Sequence, residues 1–251
     1  MADRSPTAKR RRGTGCLVLV LILLVVVCGV AVAADRAVAS IADDRLTDAV
    51  ATNLRDNGTP AATSDVETIG FPFVTQLLSG DFDGADVHLT NVDTPQGTLA
   101  RVDLKLRDVS IPQDVLRGGA LHDVTAQSVT GTGRLSIAEI SRRLGVEGLK
   151  LQNAGGSALR ATLPVEIPVV GAVEVQAEVT PKLDGNTLTF DVGSVSAAGV
   201  TVPTAVVDQI TDQFAKPVAL ELPFEVELDK VTASGDALDV TGSATNVPLV
   251  Q

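Results

Sequence analysis

The stretch Arg101-Val102-Asp103-Leu104-Lys105-Leu106-Arg107 alternates charged and apolar side chains without a break. Successive side chains of a β-strand point to opposite faces, so this stretch predicts a strand with one apolar and one charged face. The same alternation recurs at residues 87–89, 173–179 and 188–192. Glycine-centred turns at 184–186 and 234–236 are typical of β-hairpins. Together these patterns predict an antiparallel sheet with one dry face and one solvated face.

Three segments show helical spacing instead. Over residues 35–57 the apolar side chains recur every four residues, at Val38, Ala42, Leu46, Val50 and Leu54. Such a helix either packs on its own domain or forms a short coiled-coil stem, and the pattern leaves both open. Ser136 and Glu139 form a capping box that predicts a second helix, ending near Leu144. A third helix is predicted from Thr204 to about Ala215, before Pro217.

An uncharged apolar run, CLVLVLILLVVVCGVAVAA at residues 16–34, precedes the domain. About 20 apolar residues suffice to cross a bilayer as a helix, and the basic residues 9–12 favour a cytoplasmic N-terminus. We therefore expect a basic tail over 1–15, a single-pass signal anchor over 16–34, and an extracytoplasmic domain over 35–251 in the cell envelope. Ala31-Val32-Ala33 also fits a signal-peptidase site, so cleavage stays open, although the run is longer than the usual apolar region of a signal peptide.

The charge and composition exclude several classes of function. The chain has a formal net charge of −11. Residues 1–34 carry five basic side chains and one acidic one, Asp3. The domain that follows is therefore more negative than the whole chain, by about four charges. Such an acidic domain would repel nucleic acid. Both cysteines, Cys16 and Cys28, lie in the apolar run, so the domain has no disulfide and no thiol nucleophile. It also has no Trp or Tyr for stacking on sugars or bases.

The residues needed for catalysis are sparse. No G-x-S-x-G nucleophile motif occurs in the chain. His88 and His122 are the only histidines and are expected at the surface. The acidic segment Asp81–Asp86 resembles part of a calcium loop but lacks the glutamate that such a loop needs, so we expect a turn there. The sequence predicts a protein that is not an enzyme and that needs no cofactor or metal.

The segment Ile69-Gly70-Phe71-Pro72-Phe73-Val74-Thr75-Gln76-Leu77-Leu78-Ser79-Gly80 is apolar but does not alternate. Pro72 cannot donate to a sheet ladder, so the segment belongs at an edge or at a crossing into a helix. Two interpretations stay open. The segment is either a plug that closes one end of the sheet or the lining of an apolar cavity.

This block resembles the I-x-F-P-F-x-T-Q-x-x-x-G signature of the LmeA-like family of actinobacterial envelope proteins. The final stretch, VTGSATNVPL at residues 240–249, is similar to the C-terminus of that family. The resemblance covers nearly all of residues 35–250. It implies an α+β fold like that of tubular lipid-binding (TULIP) domains, in which a strongly curved antiparallel sheet wraps a long helix. It also implies phospholipid binding and a supporting role in maturing mannose-bearing lipoglycans, with no catalytic residues to carry over.

The expected function is therefore a membrane-anchored phospholipid-binding protein that shields acyl chains and supports envelope lipid or lipoglycan maturation. The alternative is a scaffolding domain that docks a partner, such as an envelope glycosyltransferase, without binding lipid. Basic side chains expected to contact the head group are Arg101, Lys105 and Arg107. Side chains expected to line the lipid cavity are Ile69, Phe71, Phe73, Leu77, Leu78, Phe82, Leu104, Leu106, Phe190, Ile210 and Phe214.

Overall fold

The computed structural model describes residues 14–94, 97–120, 122–144, 147–167, 171–197, 202, 204–214, 218–219 and 226–249. Side chains are not described over residues 14–22 or at a few other helix and strand positions, Ile210 among them. The described part is α+β, with one long N-terminal apolar helix and two antiparallel sheets. This confirms the fold class and the antiparallel pairing expected from the alternating sequence.

The elements follow one another in a simple order. The helices are α1 (Thr14–Asp56), α2 (Phe73–Ser79), α3 (Gln113–Leu116), α4 (Ile137–Leu144) and α5 (Thr204–Phe214). The strands are β1 (Thr63–Ile69), β2 (Asp81–Thr94), β3 (Gly97–Ser110), β4 (Thr125–Ser136), β5 (Lys150–Gly155), β6 (Ala158–Ile167), β7 (Gly171–Asp184), β8 (Thr187–Ala197), β9 (Val218–Ala219), β10 (Glu227–Ser234) and β11 (Ala237–Pro248). Asp81–Asp86 therefore lies in strand β2, and the turn expected there was wrong.

Two sheets share one core. Sheet A has the order β1-β2-β3-β4-β11-β10, and sheet B has the order β5-β6-β7-β8-β9. Leu238 and Ala233 of sheet A pack in one cluster with Leu159 and Val175 of sheet B. Helices α4 and α5 add Ile140 and Phe214 to the same cluster. Within the described residues both sheets are open, since the first and last strands of each do not pair.

The local signals for helix ends and hairpins are confirmed. The Ser136 hydroxyl accepts a hydrogen bond from the Glu139 backbone N–H at 3.2 Å, which caps helix α4 as the sequence predicts. Helix α1 ends at Asp56, just before the predicted stop at Asn57-Gly58. The turns around Gly185 and Gly235 join β7 to β8 and β10 to β11, and both glycines have a positive φ.

Helix α1 runs unbroken from the apolar run into the domain and docks through a polar stripe. Asp35, Ala39, Asp43 and Thr47 recur every four residues on one face. The Asp43 Oδ1 atom accepts the Thr68 backbone N–H at 2.8 Å, and the Thr47 hydroxyl accepts that of Val66 at 3.0 Å. These bonds satisfy the outer edge of strand β1, which would otherwise be open to pairing with another chain.

The apolar stripe predicted for this helix is only partly used. Val50 and Leu54 pack against the cluster of Val66 and Val87. Val38 and Leu46, which belong to the same predicted stripe, are exposed. The helix therefore packs on its own domain, one of the two interpretations left open. It does so through the polar contacts of residues 35–47 and through apolar contacts in its last turns.

Candidate functional site

The two faces of strand β3 have different surroundings. Leu104 lies opposite Val87 on β2 and Gly131 on β4. Directly paired residues in a sheet project to the same side, so the apolar face continues from β2 through β3 to β4. Val102 and Leu104 on this face are only half-buried, although the neighbouring Val87 is buried.

Three glycines on this apolar face replace side chains with backbone. Gly131 and Gly133 on β4 lie opposite Leu104 and Val102, and Gly242 on β11 lies opposite Gly131. A Cβ on Gly242 would meet the side chains of Val226 and Leu228 at 3.0 and 3.2 Å, so this glycine is already covered. We call the region with Gly131 and Gly133 as its floor the glycine furrow. Among the residues that the structure describes, no atom would lie within 4 Å of a Cβ built on Gly133, whereas a Cβ on Gly131 would meet the Leu104 side chain at 3.0 Å. The described residues therefore leave space above Gly133.

Both ends of the furrow are bounded by packed apolar clusters. On the β1–β2 side, helix α1 covers Val66 and Val87 with Val50 and Leu54. On the side of β10 and β11, Leu238 joins the core that both sheets share. The furrow therefore lies between two packed clusters on the same apolar face.

The charged face of β3 points away from the furrow, since charged and apolar residues alternate along the strand. Arg107 makes an ion pair with Asp86 at 2.7 Å. Arg101 and Lys105 are exposed, and no ion pair of either is found in the part of the chain that the structure describes. The basic residues expected to contact a head group thus lie on one face of β3. Leu104 and Leu106, expected to line the cavity, lie on its other face.

Arg134, beside Arg101 in the register, has a well-defined acidic partner. Its Nε and Nη2 atoms donate to the two carboxylate oxygens of Asp239 at 2.6 and 2.8 Å. These bonds and the charge of Asp239 raise the pKa of the Arg134 guanidinium. The pair ties β4 to β11 on the charged face and neutralises one of the two adjacent arginines, so the unpaired charge there belongs to Arg101.

Helix α2 and the turn before it are held by a buried carboxylate. Asp35, 5% exposed, accepts the backbone N–H groups of Phe73 and Val74 at 3.0 and 2.8 Å. Pro72 at the N-cap offers no side-chain acceptor, so Asp35 supplies one from helix α1. The hydrogen bond from Val74, followed by that from Phe73 and by the nearby Arg36, lowers the pKa of Asp35 against the effect of burial.

Three other residues of the Ile69–Gly80 block, Gly70, Gln76 and Gly80, shape and hold the turn and helix α2. Gly70 has φ +109°, and a Cβ there would meet the side chains of Gln76 and Asp83 within 2.3 Å. The buried Gln76 accepts the Asp83 backbone N–H at 2.7 Å, which ties α2 to β2. Gly80 ends the helix in a left-handed conformation, with its N–H bonded to the Gln76 carbonyl.

The residues expected to line one cavity lie in three separate places. Phe73 and Phe82 contact each other, with ring centroids 5.9 Å apart, under helix α2. Phe190 and Phe214, at 6.2 Å, are buried in the core shared by the two sheets. Leu104 and Leu106 border the furrow. Ile69 and Leu77 are half-buried, Phe71 and Leu78 are exposed, and the Ile210 side chain lies outside the described residues.

The block is therefore divided between the two interpretations that the sequence left open. Phe73 is 4% exposed and packs on Phe82, as a plug would. Phe71 and Leu78 are 52% and 73% exposed and point away from the interior. Phe82, which packs on Phe73, also shares a cluster with Leu106 at the border of the glycine furrow.

The furrow itself was missed by the sequence analysis. Its signal is present in the chain, because Val129-Thr130-Gly131-Thr132-Gly133 places two glycines at alternate positions of one strand. Glycine inside a strand often marks a place where another group approaches the backbone closely. Asp35 was also missed, because the hydrogen bonds it accepts come from residues nearly 40 positions later in the chain.

The histidines and acidic residues show no metal arrangement in the described ranges, where no three candidate ligands come together. His88 lies on the charged face of β2, as expected, with Nδ1 2.7 Å from Asp103. His122 is exposed, and its contact with the Ala120 carbonyl, together with Asp114 nearby, raises the pKa of its imidazole.

Comparison with known proteins agrees with the apolar character of the site. The family model described as LmeA-like phospholipid-binding matches residues 33–243, which includes both sheets, the α2 block and the furrow. No curated protein and no solved structure matches the chain. Within the described residues one helix, the N-terminal one, is long and apolar enough to cross a membrane or to serve as a signal sequence. The chain belongs to the LmeA-like phospholipid-binding family.

Proposed function

We propose that this protein is anchored by residues 16–34 and holds a phospholipid acyl chain in the glycine furrow on the outer side of the membrane. In this proposal it supports maturation of envelope lipids or lipoglycans by shielding the acyl chain from water. No bond is made or broken, so no catalytic residue is assigned. The division into a basic tail, an anchor and one extracytoplasmic domain is part of the proposal.

The observation that carries the proposal is the free space above Gly133 on an apolar face. Val102 and Leu104 beside it are half-buried, and a Cβ on Gly133 would contact no atom of the residues that the structure describes. Half-covered apolar side chains around a backbone floor leave room for a slender apolar ligand. An acyl chain is such a ligand, and membership of a phospholipid-binding family supports this choice.

The energy available from this burial is sufficient for stable binding. Each methylene removed from water contributes about 0.8 kcal/mol. Burying eight methylenes of an acyl chain therefore provides roughly 6 kcal/mol before the costs of association. That gain would outweigh the repulsion between an acidic domain and a single anionic head group.

A head group has to reach the charged face around the edge of the sheet if it is to contact Arg101 or Lys105. Both side chains are exposed and free of ion pairs within the described residues, so either one could approach a phosphate. The TULIP-like arrangement belongs to the same proposal, with the sheets curving around the ligand. The shared core between sheets A and B supports it, since it brings two apolar sheet faces together.

The test fills the furrow without disturbing the fold. Gly133→Leu adds a side chain where a Cβ meets no atom, and Gly133 has no positive φ that would resist a side chain. The matched control is Gly193→Leu on strand β8 of sheet B, where a Cβ would make only ordinary contacts at 3.5 Å or more. Both proteins are purified with the anchor intact, and the lipid per protein is measured by mass spectrometry of an organic extract.

We expect Gly133→Leu to lose specifically bound lipid and Gly193→Leu to keep it. Lipid around the anchor is the same in the two variants, so the difference between them reports the furrow. A leucine displaces about four ligand carbons, worth roughly 3 kcal/mol or a hundredfold in affinity. Equal lipid content in both variants at matched far-UV circular dichroism would contradict the proposal.

A further inference from the structure

Helix α2 has one buried face and one apolar face that is left exposed within the described part of the chain. Phe73 and Gln76 are buried against the domain. Phe71, Val74 and Leu78 are 52%, 37% and 73% exposed. Three large apolar side chains exposed together on a seven-residue helix and its preceding turn are unusual in a domain with so few aromatic residues.

The position of this face is fixed relative to the apolar run. Asp35 is the first residue after the run, and its carboxylate is hydrogen-bonded to the Phe73 and Val74 backbone at 3.0 and 2.8 Å. A helix of the run's length spans about 28 Å, close to the thickness of a bilayer's hydrocarbon core. If the run crosses the membrane, Asp35 lies where the hydrocarbon meets the head groups, and helix α2 lies there with it.

The charges around the face suit the same location. The Arg36 guanidinium lies over the Phe71 ring, 5.6 Å from its centroid. An exposed arginine at that depth can contact lipid phosphates while its aromatic neighbour enters the acyl boundary. The Asp35 carboxylate is occupied by the two backbone N–H groups of helix α2. The exposed Asp83 carboxylate lies beside Gly70, at the base of the turn.

We propose that Phe71, Val74 and Leu78 insert into the head-group layer of the same bilayer that holds helix α1. This contact, together with the Asp35 hydrogen bonds, gives the domain a fixed orientation at the membrane instead of leaving it free on a tether. It rests on the membrane anchorage proposed above. It removes Phe71 and Leu78 from the ligand site and assigns them to the membrane surface.

The absence of Trp and Tyr from the chain provides a clean test. Single-tryptophan variants of the full chain are placed in vesicles of phosphatidylcholine and phosphatidylglycerol, with or without bromine near the head-group end or the far end of the acyl chains. Leu78→Trp reports the α2 face, and Val25→Trp reports the middle of the apolar run. Gln176→Trp, at an exposed position on β7 of sheet B, is the matched control in water.

The expected result is a blue-shifted emission for Leu78→Trp, with stronger quenching by shallow than by deep bromine. Val25→Trp should show the reverse order, and Gln176→Trp should not be quenched. If Leu78→Trp behaves like Gln176→Trp while Val25→Trp is quenched, the inference is overturned but the anchorage stands. The α2 face would then be exposed to water or bind a protein partner. If Val25→Trp is also unquenched, the anchorage and the inference fail together.

Discussion

Sheet B and the middle of sheet A both present aliphatic strand faces to the interior, but they cover them to different degrees. In sheet B, Leu159 and Val179 are completely buried, in a cluster that includes two contacting phenylalanine rings. In the middle of sheet A, Val102 and Leu104 are half-buried above a floor of glycines. The first arrangement is a dry core that stabilises the fold. The second leaves part of its apolar surface exposed, as the proposed acyl-chain site requires.

The largest expected effect separates these two regions by stability. Leu159→Ala should destabilise the domain by about 3 kcal/mol, since it leaves a cavity in a fully packed site. Leu104→Ala should cost less, because its side chain is only partly buried. Denaturant titration followed by far-UV circular dichroism measures both. Equal losses would mean that the furrow is packed as tightly as the core.

The degree to which each sheet face is covered is harder to predict from the sequence than the presence of the sheet. Alternation at Arg101–Arg107 predicts a strand and its two faces, and the structure confirms it. Whether an apolar face is covered depends on which other element packs on it, and that is decided by residues far away in the chain. The same reasoning explains why Phe73 and Phe71 cannot be separated by pattern, although one is buried and the other exposed.

Some strand positions also violate the alternation rule for a local reason. Leu106 and Val109 pack in the same cluster, although residues three apart in a strand normally point to opposite faces. Asp108, between them, has φ +50°. A non-glycine residue in this conformation is uncommon and is not signalled by hydrophobic periodicity. This is one reason why the extent of the apolar face could not be predicted residue by residue.

An intermediate effect is expected at the joint between helix α1 and helix α2. Asp35→Asn should lower stability at neutral pH, because an amide replaces a carboxylate that accepts two backbone hydrogen bonds. Folding lowers the pKa of Asp35 below its ordinary value of 3.8. Its contribution is therefore present above that pH and lost as the pH falls through the lower pKa of the folded state.

The variant should accordingly show a flatter loss of stability in acid than the unmodified chain. The matched control is Asp48→Asn, at an exposed position of the same helix. Thermal unfolding between pH 7 and strongly acidic pH, followed by circular dichroism, compares the three proteins. If Asp48→Asn flattens the acid limb equally, the effect reflects overall charge and the joint is not responsible.

The smallest expected effect concerns the charged face of β3. Lys105→Glu should weaken binding of anionic phospholipid by a few fold, since a single exposed charge near a lipid surface contributes about 1 kcal/mol. The effect should disappear at high salt, where exposed charges are screened. Lys150→Glu, at an exposed position of sheet B, is the control. Vesicle flotation with phosphatidylglycerol at low and high ionic strength measures the difference.

The central claim is that an acyl chain lies in the glycine furrow, and photolabelling tests it most directly. The full chain is reconstituted with a phospholipid that carries a photoreactive group in its acyl chain, then illuminated and digested with trypsin. We predict adducts on residues 118–134, the tryptic peptide that contains Gly131 and Gly133, and none on residues 161–182, which contain the dry core of sheet B. Labelling confined to the apolar run at residues 16–34 would contradict the account.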